Sequence, residues 1–566
     1  MAQTSNLTGR MKELQRWSAM QTERSSWTTH WRDLGDHFLP RAGRFSPSDR
    51  NRGDKRHNNI LDNTPIRSVR ILGAGMMSGA TSPARPWFRL ATPDEDLMEY
   101  APVKEWLADA QRIQLHVFAR SNTYPMLHQL YEELGVFGSH AAITMDDFDK
   151  VIHHYNSPTG EYALASDYRG NVNTIYREFE KTVAEMVGEF GYENCSQTVK
   201  RLYDAGTYDA WVPVLHIIEP RLERDRSSKH QSQKAYKSCY LEIGRENGDE
   251  NYLRNSGSDT FTGLCPRWSR TGGDIYGSSP AMDCLGDARQ LQHQQLRKGN
   301  AIDYQTKPPL QLPIAAKGQD RAYLPGGITY FDQTGTGNAA RTMFDVNLNL
   351  SHLGEDIRDV RERIGDGMYS NLFLMLANAD KSQMTATEVA ERHEEKLVQL
   401  GPVLERLHNE LLTPLVENTF QRMVSTGMLP PPPKEMQGQD LNVEFVSTLA
   451  QAQRAIGVNS IDRLVANIGI VAGFKPDVTD KFDADKWVDH YADIMGVDPE
   501  LIVSDDKVAM VRGQRAQAMA KAAAAEQAAV EAKAAQSLGT VKTGEPNMAS
   551  DMLNQFSGYS APAAGV

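Results

Sequence analysis

From Val103 the apolar residues recur at steps of three and four. Val103, Trp106, Leu107, Ala110, Ile113, Val117 and Phe118 share one stripe, which predicts a helix. Pro125 opens a second helical segment ending in "LHQLYEELGVFG". The period then changes. "AAITMDD", "KVIHHYN", "EYALASD" and "NVNTIYREF" are short β-rich runs separated by the turn chemistries "SPTGE" and "YRGN", and they predict a meander of about four strands. Helical pattern resumes in "EKTVAEMVGEFG" and "CSQTVKRLYDAG", followed by the candidate strands "WVPVLHIIEP" and "AYKSCYLEIG". The first 265 residues thus read as mixed α and β.

The stretch "GAGMMSGATSPARPWFRL" nearly spells a glycine-rich phosphate loop. Its flanks do not fit one, because such a loop needs a buried strand before it and a helix after it. Upstream, Ile66, Val69, Leu72 and Met76 share a helical face, so the glycines fall inside a helix. Downstream, Pro83, Pro86 and Pro93 each remove an amide donor. Small residues that let a helix pack closely, before an extended aromatic-anchored segment, explain the pattern.

Ser279 followed by Pro280 is a helix start, a capping hydroxyl before the position where proline suits a helix. The helix that follows has a thin apolar stripe, with Gln290, Gln292, His293, Gln294 and Gln295 spreading polarity around it. Such a helix either bridges domains in solvent or packs against copies of itself by hydrogen bonds. A segment rich in proline and glycine, with short strands such as "GITYF", reads as a small compact excursion. Helical spacing returns at Leu353, Ile357, Val360, Ile364, Met368, Leu372 and Leu376, so two long helices flank the excursion as an antiparallel stalk. "ANADKSQM" breaks the pattern, and Thr385 with Glu388 forms a capping box that launches another helix. Its stripe runs through Val389, Leu397, Leu400, Leu404, Leu407, Leu411 and Leu415 to about Ser425, giving a length of roughly 60 Å. Pro402 and Pro414 lie inside it and bend its axis. Beyond "LPPPPKEM" come a strand, "LNVEFV", and helical segments from Thr448 to about Met495. Residues 511–537 are alanine-rich and helix-favouring but bury little per residue, and 538–566 read as disordered.

Composition narrows the function classes. The 566 residues are 40% hydrophobic and 24% charged, ordinary globular values. No apolar run is long enough for a membrane span, and the polar N-terminus lacks the core of a secretory signal, so the chain is expected to stay in the cytoplasm where it is made. Cys195, Cys239, Cys265 and Cys284 are too widely spaced for a CxxC pair, so free thiols are expected. The neighbours His153 and His154 point to opposite faces of a strand and chelate poorly; no metal and no cofactor are expected. Neither GxSxG nor GxxxxGK[ST] is present, so an enzyme is not expected. A net charge of −12 argues against tight nucleic-acid gripping but suits a wall past which DNA slides. The basic run "RLERDRSSKHQSQK" lacks aromatics and reads as a solvated loop.

The order of "LYEELGVFG", "YGSSPAMDCLGDARQLQHQQLRKGNAID", "LPGGITY", "TATEVAERHEEKLVQLGPVLERLHNELLTPLVE" and "VEFVSTLAQAQ" resembles the head-to-tail connector, or portal, proteins of short-tailed, T7-like bacteriophages. "TSPARPWFRL" matches that family too. The resemblance covers roughly residues 5–500. It implies an α+β, mainly helical, portal-type subunit with these parts: a wing of N-terminal helices and β meander at 1–279, stem helices at 280–303 and 348–377, and a clip at 304–347. A tunnel loop would follow at 378–384, a kinked tunnel helix returning to the wing at 385–447, a helical crown at 448–537 and a disordered tail at 538–566. It also implies a ring of about twelve copies at one capsid vertex of the virion, through which double-stranded DNA is packaged and ejected. Terminase, tail or adaptor proteins, and capsid and scaffolding proteins are the implied partners. The residues expected nearest the DNA are Asn378, Asp380, Lys381, Ser382, Gln383 and Met384, with Lys381 a phosphate contact. Tyr330 and Phe331 mark the expected partner face of the clip. Another virion structural protein, such as a head-tail adaptor, is the alternative.

Overall fold

A computed structural model describes residues 9–45, 60–94, 97–98, 100–228, 230–245, 251–313, 328–331, 341–342, 350–378, 400–436, 442–446, 464–488, 503 and 505–539. The chain divides into two units, Met1–Thr479 and Asp480–Val566. It is a mixed helix-and-sheet fold in which helix predominates.

The first unit opens with a 30-residue helix, Gly9–Phe38, in which Arg10, Glu13 and Arg24 are buried beside Trp17, Trp31, Leu34 and Phe38. Those polar groups find partners. Arg10 donates to the carbonyls of Glu242, Ile243 and Arg245, Arg24 to that of Tyr162, and Glu13 accepts from the Tyr176 hydroxyl at 2.8 Å. Trp31 Nε1 donates to the Phe137 carbonyl at 2.9 Å, tying this helix to the Thr123–Phe137 helix.

The glycine-rich stretch is the expected helix, Thr64–Ala80, with Val69, Leu72 and Met76 buried. A Cβ on Gly75 would overlap the Phe373 ring, and one on Gly73 would lie 2.6 Å from Glu132 Cγ, so the small residues serve close packing. The following strand β1 (Phe88–Ala91) is anchored by Trp87, which stacks on Phe118 of the Ala101–Arg120 helix at 5.8 Å.

The four expected strands form as β2 (Ala141–Asp147), β3 (Val151–Ser157), β4 (Tyr162–Ser166) and β5 (Val172–Thr182), but they are not one meander. They are two hairpins in two sheets. The link between them is pinned, with Arg44 N–H donating to the Thr159 carbonyl at 2.9 Å and Gly160 at φ +100° against the Arg44 carbonyl. The second edge of each hairpin is taken by a later strand. β5 pairs with β6 (Trp211–Pro220) in the sheet completed by β7 (Tyr236–Glu242) and β8 (Arg254–Ser258), while β2 pairs with β9 (Gly263–Leu264). The helices Val183–Phe190 and Gln197–Asp204 form as expected, the first with a complete capping box of Thr182 and Glu185. The basic run after β6 is exposed over most of its described length. His153 and His154 do face opposite ways, exposed and buried respectively.

Between the later helices, β10 (Leu310–Pro313) is central to a small sheet, parallel to β11 (Ile328–Phe331) and antiparallel to β12 (Arg341–Thr342). The "LNVEFV" strand is β13 (Asn442–Phe445), which returns to pair antiparallel with β1. In the second unit, the helix Asp505–Gly539 carries the alanine-rich sequence, and its described side chains are almost all exposed. Arg512 pairs with Asp485 through two contacts, of 2.5 and 2.7 Å.

Candidate functional site

The Ser279 hydroxyl caps its helix by accepting from Met282 N–H at 3.2 Å, and the helix spans Pro280–Thr306. Its partner covers Ser351–Gly367. The pairing is antiparallel: Gly367 packs on Cys284, Arg363 lies 3.5 Å from Asp287, and Gln294 donates to Asp356. The glutamines that looked like contacts between copies are used within the chain. Gln292 Oε1 accepts from Leu61 and Asp62 N–H at 2.7 and 2.9 Å, and its Nε2 donates to the Asp62 carbonyl at 2.8 Å. Asp62 Oδ2 in turn accepts from Gln295 at 2.8 Å and from Arg361 Nε and Nη2 at 3.0 and 2.8 Å. One buried carboxylate therefore clamps both helices to the segment before Thr64. Burial opposes its charge, but hydrogen bonds from Thr64, Arg361 and Gln295 outweigh that and hold its pKa below the usual range. Gln290 and His293 remain exposed, on the face away from this clamp.

The expected second helix, 348–377, is not continuous. It breaks at Met368–Tyr369, where Tyr369 adopts φ +56°, and resumes as Ser370–Asn378. The Ser370 hydroxyl donates to the Gly365 carbonyl at 2.9 Å, and the Tyr369 ring packs 5.8 Å from that of Trp268. Ile357, Val360, Ile364, Met368 and Leu372 are all buried, so the stripe crosses the break in phase.

Of the residues expected nearest DNA, Asn378 closes the Ser370–Asn378 helix. Asp380, Lys381, Ser382, Gln383 and Met384 lie outside the described residues, as do Thr385 and Glu388. Tyr330 and Phe331 are the last two positions of β11, opposite Leu312 and Pro313 of β10. Pro402 and Pro414 both sit in helical backbone. Leu400, Leu404, Leu407, Leu411 and Leu415 are buried as the stripe requires.

At Pro414 the structure adds what spacing does not reveal. Residues His408–Leu412 form a π turn, with Thr413 N–H donating to the His408 carbonyl, before the helix continues as Thr413–Ser425. Glu410, on this turn, receives Arg267 through its backbone N–H at 2.9 Å, Nε at 3.2 Å and Nη2 at 2.6 Å. His408 stacks on Phe445 at 4.1 Å. The one sequence signal was Leu411 beside Leu412, adjacent leucines both fully buried where a narrow stripe expects one.

Residues 10–503 match the profile of the bacteriophage head to tail connecting protein family. The chain belongs to that family. Full-length relatives of this connector include a probable portal protein of Bordetella phage BPP-1, 58% identical over 96% of this chain and 98% of its own. A portal protein of Salmonella phage epsilon15 is 42% identical, covering 96% and 97% respectively. A solved chain from the virion of a native gene transfer agent particle aligns with 83% of the connector and 94% of itself, at 11% identity and a TM-score of 0.35.

Proposed function

We propose that this connector assembles as a ring of about twelve copies at one capsid vertex of the virion, forming the channel for DNA packaging and ejection. The observation that carries the reading is the near-complete alignment with relatives named portal proteins. The antiparallel helix pair flanking a small sheet supports assigning a stem (280–303 and 348–377) and a clip (304–347), with the wing before them at 1–279. In the same reading, 378–384 is the tunnel loop, 385–447 the channel helix and its return to the wing, 448–537 the crown and 538–566 the tail. The clip, with Tyr330 and Phe331, is the face for terminase and for tail or adaptor proteins, and the wing meets capsid and scaffolding proteins. A chain carrying −12 suits a conduit, because DNA that must slide is better served by a weakly repulsive wall than by a gripping one.

Lys381 is the phosphate contact of the tunnel loop. In cells infected with phage lacking this gene, plasmid-borne wild-type chain is expected to restore DNA-filled heads. Lys381→Ala is expected to give rings of unchanged mass but altered packaging or DNA retention. Filling and retention equal to wild type would remove the role of Lys381, and filled heads without any chain would remove the channel.

A further inference from the structure

Pro414 has no amide hydrogen, so an unbroken α-helix would deprive the Glu410 carbonyl of its donor and press the proline ring against it. The chain widens instead into the His408–Leu412 π turn, whose bond from Thr413 to His408 spans five residues. That turn admits one residue more than an α-helical count. It is held from outside: the Arg267 side chain is 2% exposed and, beyond its contacts to Glu410, donates to the carbonyls of Gly170 at 3.0 Å and Ile275 at 3.5 Å. Arg267 is thus fixed by two other segments before it meets the helix, and it reads the position of one carboxylate with three donors. In an α-helix each residue accounts for about 100° of rotation and 1.5 Å of rise. Removing the wide turn from the same sequence would swing either Leu400, Leu404 and Leu407 or Leu415, Thr419 and Met423 out of the core, and would carry Glu410 away from Arg267.

We propose that Arg267 and Glu410 are positioning residues that select the π register of this helix. They fix the rotational phase of residues 400–407 against 413–425 and so set the channel helix for DNA passage. This rests on the channel reading above. Pro414 disfavours the α register, and the Arg267–Glu410 pair makes the π register the one that fits its surroundings.

The test uses full-length rings and two variants. Glu410→Gln keeps the size and an acceptor but loses the charge; since a hydrogen bond to a charged group is worth about tenfold or more, amide exchange over 403–413 is expected to quicken by about that factor. Ring mass and exchange in β5 and β6 stay unchanged, while DNA-filled heads in the complementation assay fall clearly. Deleting Asn409 together with Pro414→Ala restores an α-helical count with both flanks in phase. These rings keep the phase without the wide turn and are expected to be as protected as wild type and to fill as wild type does, which separates the phase of the flanks from the turn itself. Wild-type filling by Glu410→Gln, or poor filling by well-protected rings of the deletion variant, overturns the proposal; should the deletion variant not fold, Glu410→Gln decides alone. Failure of the wild-type chain itself to restore filling would instead overturn the channel reading, before any variant is compared.

Discussion

His154 sits on β3 with its ring between Thr123 and Thr144, at 2.9 and 3.1 Å. Burial, with the charges of His153 and Arg422 adding to it, lowers its pKa from 6.5 to about 3. Glu161 goes the other way: burial, only partly offset by Arg177 and Arg44, raises its pKa from 4.5 to about 7. The lowered histidine contributes stability that is present above pH 6.5 and lost as pH falls toward 3. The raised carboxyl contributes stability that is present below pH 4.5 and lost as pH rises through 7. Between pH 4.5 and 6.5 the two slopes oppose each other. In Glu161→Gln the opposing carboxyl slope is expected to be removed, so that stability falls more steeply than in wild type on acidification below pH 6.5, read from thermal melts across pH. A pH profile parallel to wild type would contradict the assignment. Two glycines make a second contrast at this scale. Gly75→Ala would drive a methyl into Phe373 and is expected to cost about 1–3 kcal/mol, whereas the exposed, unobstructed helical Gly188→Ala should stabilise by about 0.5–1 kcal/mol. Both are measured by denaturant unfolding. That Gly75 packs rather than binds phosphate was legible from its flanks. The pairing of His154 and Glu161 with their surroundings was not, because those contacts join elements far apart in sequence.

Helices were the most legible elements, since a stripe at three and four records the core it faces. The break at Tyr369 escaped because Met368 and Leu372 continue the stripe in phase, so nothing in the spacing marks a residue at φ +56°. The four strands were visible one by one, while their division between two sheets was decided by β6 and β9, which arrive later in the chain. The N-terminal helix was readable from Leu14, Trp17, Trp31, Leu34 and Phe38 at helical spacing, but the two arginines and the glutamate on its buried face are satisfied only by distant segments. The polar surface of the Pro280–Thr306 helix was read as bridging solvent or bonding to copies of the chain, whereas much of it turns inward to Asp62. Asp62→Ala is expected to lower stability by about 1–3 kcal/mol, because Thr64, Gln295 and Arg361 lose a shared carboxylate acceptor, of which only Arg361 is exposed enough to recover water readily. Melting of the variant within error of wild type would show that the clamp does not hold the pair together.

At the scale of the whole molecule, burial is unevenly distributed. The first unit has a large core running from Trp31 to Phe445, while the Asp505–Gly539 helix of the second exposes Met510, Met519 and Val530. A 35-residue helix with so little covered apolar surface is stabilised mainly by propensity, and copies of the chain are the proposed source of its missing burial. The proposed channel makes the same demand for copies. Native mass spectrometry of the purified full-length chain, with class averages of the same sample along the symmetry axis, tests this most directly. The expected result is closed rings of about twelve subunits with an open axial hole. A monomer or dimer that persists across assembly conditions would contradict the channel.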